Sequence, residues 1–357
     1  MKAAVWHGYK DVRIEERPVP PVPSGHVLVR VAWAGICGTD KHEYAGPNFI
    51  PTTKPHRLTG CTAPLIMGHE FSGTIARVSP DIKGWQEGDR VSANGTLSCG
   101  ECAMCRSGRY NICEKLGFIG VSRDGAFAEY VAVEASRLFK IPDNVSLRHA
   151  VLGEPLACGL HAAGLIGNIQ DKTVFVCGAG IIGLSCFFAA SFNGARKIVV
   201  SGLGSGAESG IKSIIEGHGG IYIDITQYPT SGEADNAIKD CLGGLADICF
   251  ECVGVQASLD NCIRLLKSSG ALMVMGVFEK RPTFPMNDFQ EGERRLFTSQ
   301  AHVDEIAMAL TYISRGLLDA EKLITRSLTL DNLVKDGFEV LEANPAAHIK
   351  MLIDLRP

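Results

Sequence analysis

The 357-residue chain has no marked excess of either charge: 35 basic against 39 acidic residues leave a formal net charge of −4 at pH 7. So small an imbalance gives no broad electrostatic pull toward nucleic acid or an anionic membrane surface. Long apolar runs are also missing, and none is long enough to span a bilayer. The opening stretch, MKAAVWHGYKDVRIEE, lacks the apolar core of a secretory signal. These absences lead to the expectation of a cytoplasmic protein with small-molecule partners, no nucleic acid and no membrane. The cysteines number thirteen. An odd count without an export signal argues against a disulfide framework. Thiols in a reducing compartment are small buried hydrophobes or metal ligands, and spacing separates the two.

A chain of this length exceeds one ordinary core, so about two domains are expected. Residues 26–34 partly alternate and read as a strand, as do 72–78 and 128–133, with glycine and proline frequent between them. The chain to residue 148 therefore reads as a β-rich domain. From 149 the pattern changes to short continuous apolar runs at 173–177, 197–200, 221–225, 246–250 and 271–277, separated by helical lengths. Apolar strands alternating with helices predict an α/β domain with a parallel sheet covered on both faces. That domain is expected to span 149–295. A strand at 296–300, a helix at 302–315 and an apolar strand at 350–355 are expected to return to the first domain, so that 296–357 completes it. The run 271–278 reads equally as an internal strand or as an edge that pairs across a dimer.

Gly178-Ala-Gly180-Ile181-Ile182-Gly183 follows an expected strand and opens an expected helix. The first glycine suits a tight turn, the second lets backbone approach a pyrophosphate, and the third lets helix pack on strand. The alternative is a glycine-rich turn in some other α/β domain. An acid about 20 residues further on ordinarily binds the adenosine ribose hydroxyls. Here the second strand runs into Ser201-Gly202-Leu203-Gly204-Ser205 without a carboxylate. Losing the acid removes the repulsion that excludes a 2′-phosphate, so NADP is permitted. Ser201, Ser205 and the amides near Gly204 are candidate neutral donors, with Lys212 a more distant cation.

Cys99, Cys102, Cys105 and Cys113 form C-x2-C-x2-C-x7-C in a polar, turn-rich stretch. Four thiolates so spaced can close a tetrahedral zinc shell with no open position, the pattern of a structural site. Four unrelated core cysteines fit poorly beside Glu101, Arg106, Arg109 and Asn111. A nucleic-acid zinc ribbon is disfavoured by the thin basic patch of Arg106, Arg109 and Lys115. A second set is dispersed: Cys37, His69 and Glu154. Singly each has a bland reading, as core thiol, satisfied histidine or helix cap. Together they offer a soft, a borderline and a hard ligand, which suits a catalytic zinc with an open position.

The ordered combination of CGTDKH, GHEFSG, the four-cysteine lobe, GEPLACGLHA and GAGIIGL resembles the zinc-containing medium-chain dehydrogenase/reductase family over nearly the whole chain. Glu154 in place of a cysteine is similar to the branch containing sorbitol and 2,3-butanediol dehydrogenases. The N-terminal stretch and the segment 44–70 are similar to the butanediol enzymes. The resemblance implies a GroES-like catalytic domain joined to a Rossmann domain, with the active site in the cleft between them. It implies two zinc ions per chain and a nicotinamide cofactor, NAD(P). The catalytic zinc would be bound by Cys37, His69 and Glu154, with Glu70 either a direct ligand or the partner of a nearby water. Asp40 would orient the His69 imidazole.

The implied chemistry is hydride transfer between a secondary alcohol, polyol or vicinal diol and the cofactor, zinc lowering the pKa of the substrate hydroxyl. Thr39 would accept the proton, and by the resemblance His42 would pass it on through the cofactor ribose. As alternatives, Thr39 is a turn residue and His42 a surface histidine. Tyr44, His56, Phe118 and His302 are candidate pocket residues, each equally readable as structural. Cys158, Cys177, Cys186, Cys249, Cys252 and Cys262 read as core. Two other functions use the same motifs. One is a biosynthetic ketoreductase or amino-alcohol dehydrogenase, as threonine dehydrogenases are. The other is a zinc-stabilised nucleotide sensor without turnover. A homodimer or homotetramer is expected.

Overall fold

The structure, a computed structural model, describes residues 1–46, 49–204, 210–344 and 346–356. The chain divides into two compact units. The first comprises 1–154, 303–345 and 350–357, the second 155–302 and 346–349. Among the described residues no helix is long and apolar enough to cross a membrane.

The first unit is built around a seven-stranded sheet whose main path runs 138–140, 90–93, 70–78, 26–35, 350–354, 324–329, with 130–134 also pairing on 26–35. Its central strand, His26–Gly35, has eight of its ten residues buried. Valines and alanines there pack against Phe71, Ile75, Phe127 and Ile353. Burial on both faces explains why the alternation in this segment is only partial. Residues of the same unit also form smaller sheets of three and two strands.

The second unit carries a six-stranded parallel sheet ordered 221–224, 197–202, 173–177, 246–251, 266–274, 295–298. Every residue of Thr173–Cys177 is buried, as a strand covered on both faces requires. The strand order reverses between 173–177 and 246–251. That reversal is the topological switch point, where such sheets bind their ligand at the carboxyl ends of the strands.

One expectation is corrected by the register. The strand Arg295–Thr298 does not return to the first unit; it pairs residue for residue with Ala271–Val274 and closes the parallel sheet. A short, polar edge strand has no continuous apolar run to mark it as part of a buried sheet. The returning segment begins at Val303. The run 271–278 correspondingly holds an internal strand, between 246–251 and 295–298.

Candidate active site and cofactor site

Three strand ends meet in the first unit. The antiparallel pairing of His26–Gly35 with Glu70–Val78 sets Gly35 opposite Glu70. Cys37 therefore lies just past one strand, and His69 just before the other. The closing strand pairs Leu352 with Gly35, which carries Lys350 past the same end. Gly35 must be glycine here, because a Cβ would lie 2.2 Å from the Glu70 Oε2.

Cys37, His69 and Glu70 each offer one donor atom, all within 4.8 Å of one another. Cys37 caps the helix Gly38–Ala45 and donates its amide to Asp40 Oδ2 at 2.8 Å. Asp40 is fully buried, and its Oδ1 lies 3.8 Å from His69 Nδ1, an ion-pair separation rather than a hydrogen bond. Neither of those two atoms has another partner. Burial pushes the Asp40 carboxyl up to about 6, against the pull of His69. Burial opposes a charged His69, but the Cys37 sulfur and Asp40 outweigh it and raise its pKa. Cys37, His69 and Glu70 bring a soft, a borderline and a hard donor together, and that donor set fits zinc.

Lys350 was not anticipated. It is 2% exposed, donates to both Glu70 oxygens at 2.8 and 2.7 Å, and donates to the Ile36 carbonyl at 3.0 Å. The one signal for it is a lone cation inside the apolar run HIKMLIDL. Glu154, in the first turn of the helix Gly153–Ile166, is not in the tight donor group, although its charge acts on both His69 and Lys350. The Thr39 hydroxyl lies 3.7 Å from the Cys37 sulfur, and His42 stands in the last turn of the same helix.

The second cluster gathers Cys99, Cys102, Cys105 and Cys113. The Cys99 sulfur is 3.9 Å from that of Cys105 and 3.5 Å from that of Cys113. Zn–S bonds of ~2.3 Å in a tetrahedron put sulfurs about 3.8 Å apart, so the shell fits. Backbone amides of Cys99, Cys102, Cys105 and Lys115 donate to these sulfurs at 3.3–3.4 Å. Amide donors favour the thiolate. The Glu114 amide, with that of Cys105, holds Cys102 down at about 6, and the Glu101 amide, with that of Cys102, lowers Cys99, while burial lifts Cys105 to about 12.

In the second unit, Gly178 follows the strand Thr173–Cys177 with φ 103°. Gly180 caps the helix Ile181–Phe192, which Ile181 and Ile182 begin. A Cβ on Gly183 would lie 1.7 Å from the Gly178 carbonyl, whereas one on Gly180 would meet open space. Close helix–strand packing at the third glycine and free approach at the second are what a pyrophosphate cradle needs. A Cβ on Gly202 would lie 2.6 Å from the Tyr222 hydroxyl, which donates to the Gly204 carbonyl at 2.8 Å. Tyr222 thus fills the space beside the strand end where an acid is usual. Ser201 is buried, and Ser205 lies outside the described residues. Lys212 is paired with Glu216. Tyr44 is core, stacked on Phe338, and His56 bonds the Leu116 carbonyl.

The fold and the two donor sets define a zinc-dependent oxidoreductase that uses a nicotinamide dinucleotide. Residues 23–143 match the family described as alcohol dehydrogenase GroES-like domain, and 182–314 the family described as zinc-binding dehydrogenase. The chain belongs to the zinc-containing medium-chain dehydrogenases. It is 34% identical over 355 residues to (R,R)-butanediol dehydrogenase of Bacillus subtilis strain 168, covering 99% of each chain. Sorbitol dehydrogenase of the same organism is 29% identical over 345 residues, with 95% of this chain and 93% of the relative covered. The crystal structure of 2R,3R-butanediol dehydrogenase from Bacillus subtilis, also 34% identical, superposes with a TM-score of 0.87 over 100% of this chain and 99% of that one.

Proposed function

We propose that this enzyme interconverts a secondary alcohol carrying a neighbouring oxygen, a vicinal diol or polyol, with its ketone. The observation that carries the reading is the convergence of Cys37, His69 and Glu70 beside the charge of Glu154. Carboxylate donors in place of a second thiolate make the site harder, and a hard site suits a substrate with two oxygens. The relatives' names, a butanediol and a sorbitol dehydrogenase, support the same class.

Cys37 and His69 hold the zinc, with carboxylate donors drawn from Glu70 and Glu154. Zinc held there would supply Lewis acidity toward the substrate hydroxyl, and a nicotinamide cofactor would supply the hydride acceptor. Asp40 orients the His69 ring and strengthens it as a donor. Lys350, donating to both Glu70 oxygens, holds that buried carboxylate in place. Thr39, within reach of the Cys37 sulfur, accepts the substrate proton at its hydroxyl and His42 carries it toward solvent. The cluster of Cys99, Cys102, Cys105 and Cys113 holds a second zinc that supports the fold. Gly202 carries no acid, so NADP is admitted alongside NAD.

A panel of diols, sugar alcohols, hydroxyketones and threonine, run with both cofactors, tests substrate class and cofactor together. Saturable turnover is expected with vicinal diols or polyols. Turnover confined to threonine overturns the diol reading, and no rate with NADP overturns the cofactor reading. A second copy of the chain is expected to pair at the edge strand Arg295–Thr298, where Leu296 is exposed. Sedimentation of a Leu296→Asp variant checks this; an unchanged oligomer sinks it.

A further inference from the structure

Glu251 ends the strand Ala246–Glu251, beside the switch point of the nucleotide sheet. Nothing in the reaction described above uses it. Its carboxylate is 0% exposed, and its partners are all neutral. Oε1 accepts the amides of Val253 and Gly254, each at 2.9 Å, and lies 2.6 Å from the Ser258 hydroxyl. Its main-chain carbonyl accepts the amides of Met275 and Gly276 at 2.8 and 3.1 Å. Oε2 is buried without a partner. One residue thus ties together the two turns that follow neighbouring strands.

The two turns touch through backbone. A Cβ on Gly254 would lie 2.4 Å from the Val277 carbonyl, and one on Gly276 would lie 2.6 Å from Glu251 Oε2. The first turn also reaches the phosphate-binding loop, since the Val253 side chain would be 2.7 Å from a Cβ on Gly178. Yet the valines carried by these turns are not core: Val253 is 48% exposed and Val277 50%. A buried, ionisable anchor under exposed apolar tips is costly as mere scaffolding, because an unpartnered buried carboxylate oxygen destabilises the fold. Carboxyl ends of strands flanking a switch point are where this class of sheet receives its ligand. A flat, apolar ring laid across two exposed valines matches the nicotinamide end of the cofactor.

We infer that Glu251 is a positioning residue for the nicotinamide half of the dinucleotide. It fixes the Val253 and Val277 turns relative to Gly178 and does not itself touch the reacting atoms. The inference rests on the nicotinamide-dependent reading above, and the test separates the two.

The test compares the affinity of the zinc-loaded, full-length enzyme for NADH and NADPH with its affinity for ADP-ribose, which lacks the nicotinamide. Glu251→Ala is expected to weaken reduced-cofactor binding about tenfold or more, as loss of several buried hydrogen bonds implies, while ADP-ribose affinity stays within about twofold. Glu251→Gln, whose carbonyl can still accept the three donors, is expected to recover most of that loss. Equal weakening of all ligands overturns the inference in favour of general damage to the sheet, and no change in any of them overturns it outright. Should Glu251→Ala not fold, Ser258→Ala removes one donor alone. A selective loss of NADH affinity of about threefold is then expected, and none overturns the inference. A wild-type enzyme that binds ADP-ribose but neither reduced cofactor overturns the nicotinamide reading itself, and the inference with it.

Discussion

Replacing Lys350 with methionine should unfold the first unit more easily than almost any other single change that preserves volume. Lys350 and Glu70 are 2% and 1% exposed, and the ammonium makes three hydrogen bonds within 3.0 Å. At 2.7 Å the bare attraction is about 6 kcal/mol for an effective dielectric of ~20. Desolvation of both ions offsets much of that, so the pair itself is worth little over an apolar pair. Removing one partner is different, because it strands a buried carboxylate, and such losses run to about 3–5 kcal/mol. For a domain of about 200 residues each kcal/mol moves Tm by roughly 2–4 °C, so a fall of about 6–20 °C is expected by calorimetry. The double variant Lys350→Met with Glu70→Met should regain most of it, within about 2 kcal/mol of wild type. Zinc sharpens the experiment: a dication beside Glu70 partly replaces the lost ammonium. The single variant should therefore lose less when zinc-loaded than after chelation. A single variant within about 1 kcal/mol of wild type without metal would refute the reasoning, since it would mean Glu70 had found water or another partner.

The other expectations can be checked with simpler variants. Gly35→Ala drives a Cβ to 2.2 Å from Glu70 Oε2, and should cost stability and zinc together, read by melting and metal analysis; normal zinc content would count against the site. Cys102→Ser should lower total zinc from about two per chain to about one by mass spectrometry of the folded protein, with Cys37→Ala removing the other. Thr39→Val should reduce kcat about 10²–10⁴-fold with little change in zinc content, and a rate near wild type would remove Thr39 from the proton path. At the surface, hydrogen bonds from Ser79, Ser24 and the Gly25 amide hold the Asp81 carboxyl down at about 2. A depressed carboxyl stabilises fully above its unfolded pKa and loses that contribution as pH falls through about 2. The Tm difference between wild type and Asp81→Asn should therefore shrink from pH 5 to pH 2; a constant difference would show the carboxylate charge to be irrelevant.

Much of the layout was legible because each of its signals is local. The switch from partly alternating to continuous apolar runs near residue 149 follows from sheets of different coverage. The glycines at 178, 180 and 183 are readable because each answers a steric demand within one turn. What escaped depends on pairing between distant segments. Arg295–Thr298 is too short and polar to announce that it extends a parallel sheet. Lys350 becomes meaningful only once its strand is laid antiparallel to His26–Gly35, some 315 residues away, so that the ammonium meets Glu70. Spacing could not choose between Glu70 and Glu154. The choice depends on side-chain direction at a strand start and in a first helical turn, which only the fold sets. Glu251, a lone glutamate between Cys249 and Cys252, carries no spacing signal at all.

Glu70 and Glu251 use the same steric device. Each buried carboxylate occupies the space that a glycine on the adjoining segment leaves open, Gly35 for one and Gly276 for the other. Their compensation differs, and the difference follows from what each must face. Glu70 is matched by a full charge, Lys350, which gives it a buried ion-pair partner close to His69 and Cys37. Glu251 is matched only by amides and a hydroxyl. Such donors have fixed directions, so they trade electrostatic strength for geometric definition of the two turns they come from. A site that must tolerate arrival and loss of a dication needs charge balance. A site that must hold a neutral ring at a fixed height needs rigid backbone. The same residue type therefore serves both units, and its partners decide which demand it meets.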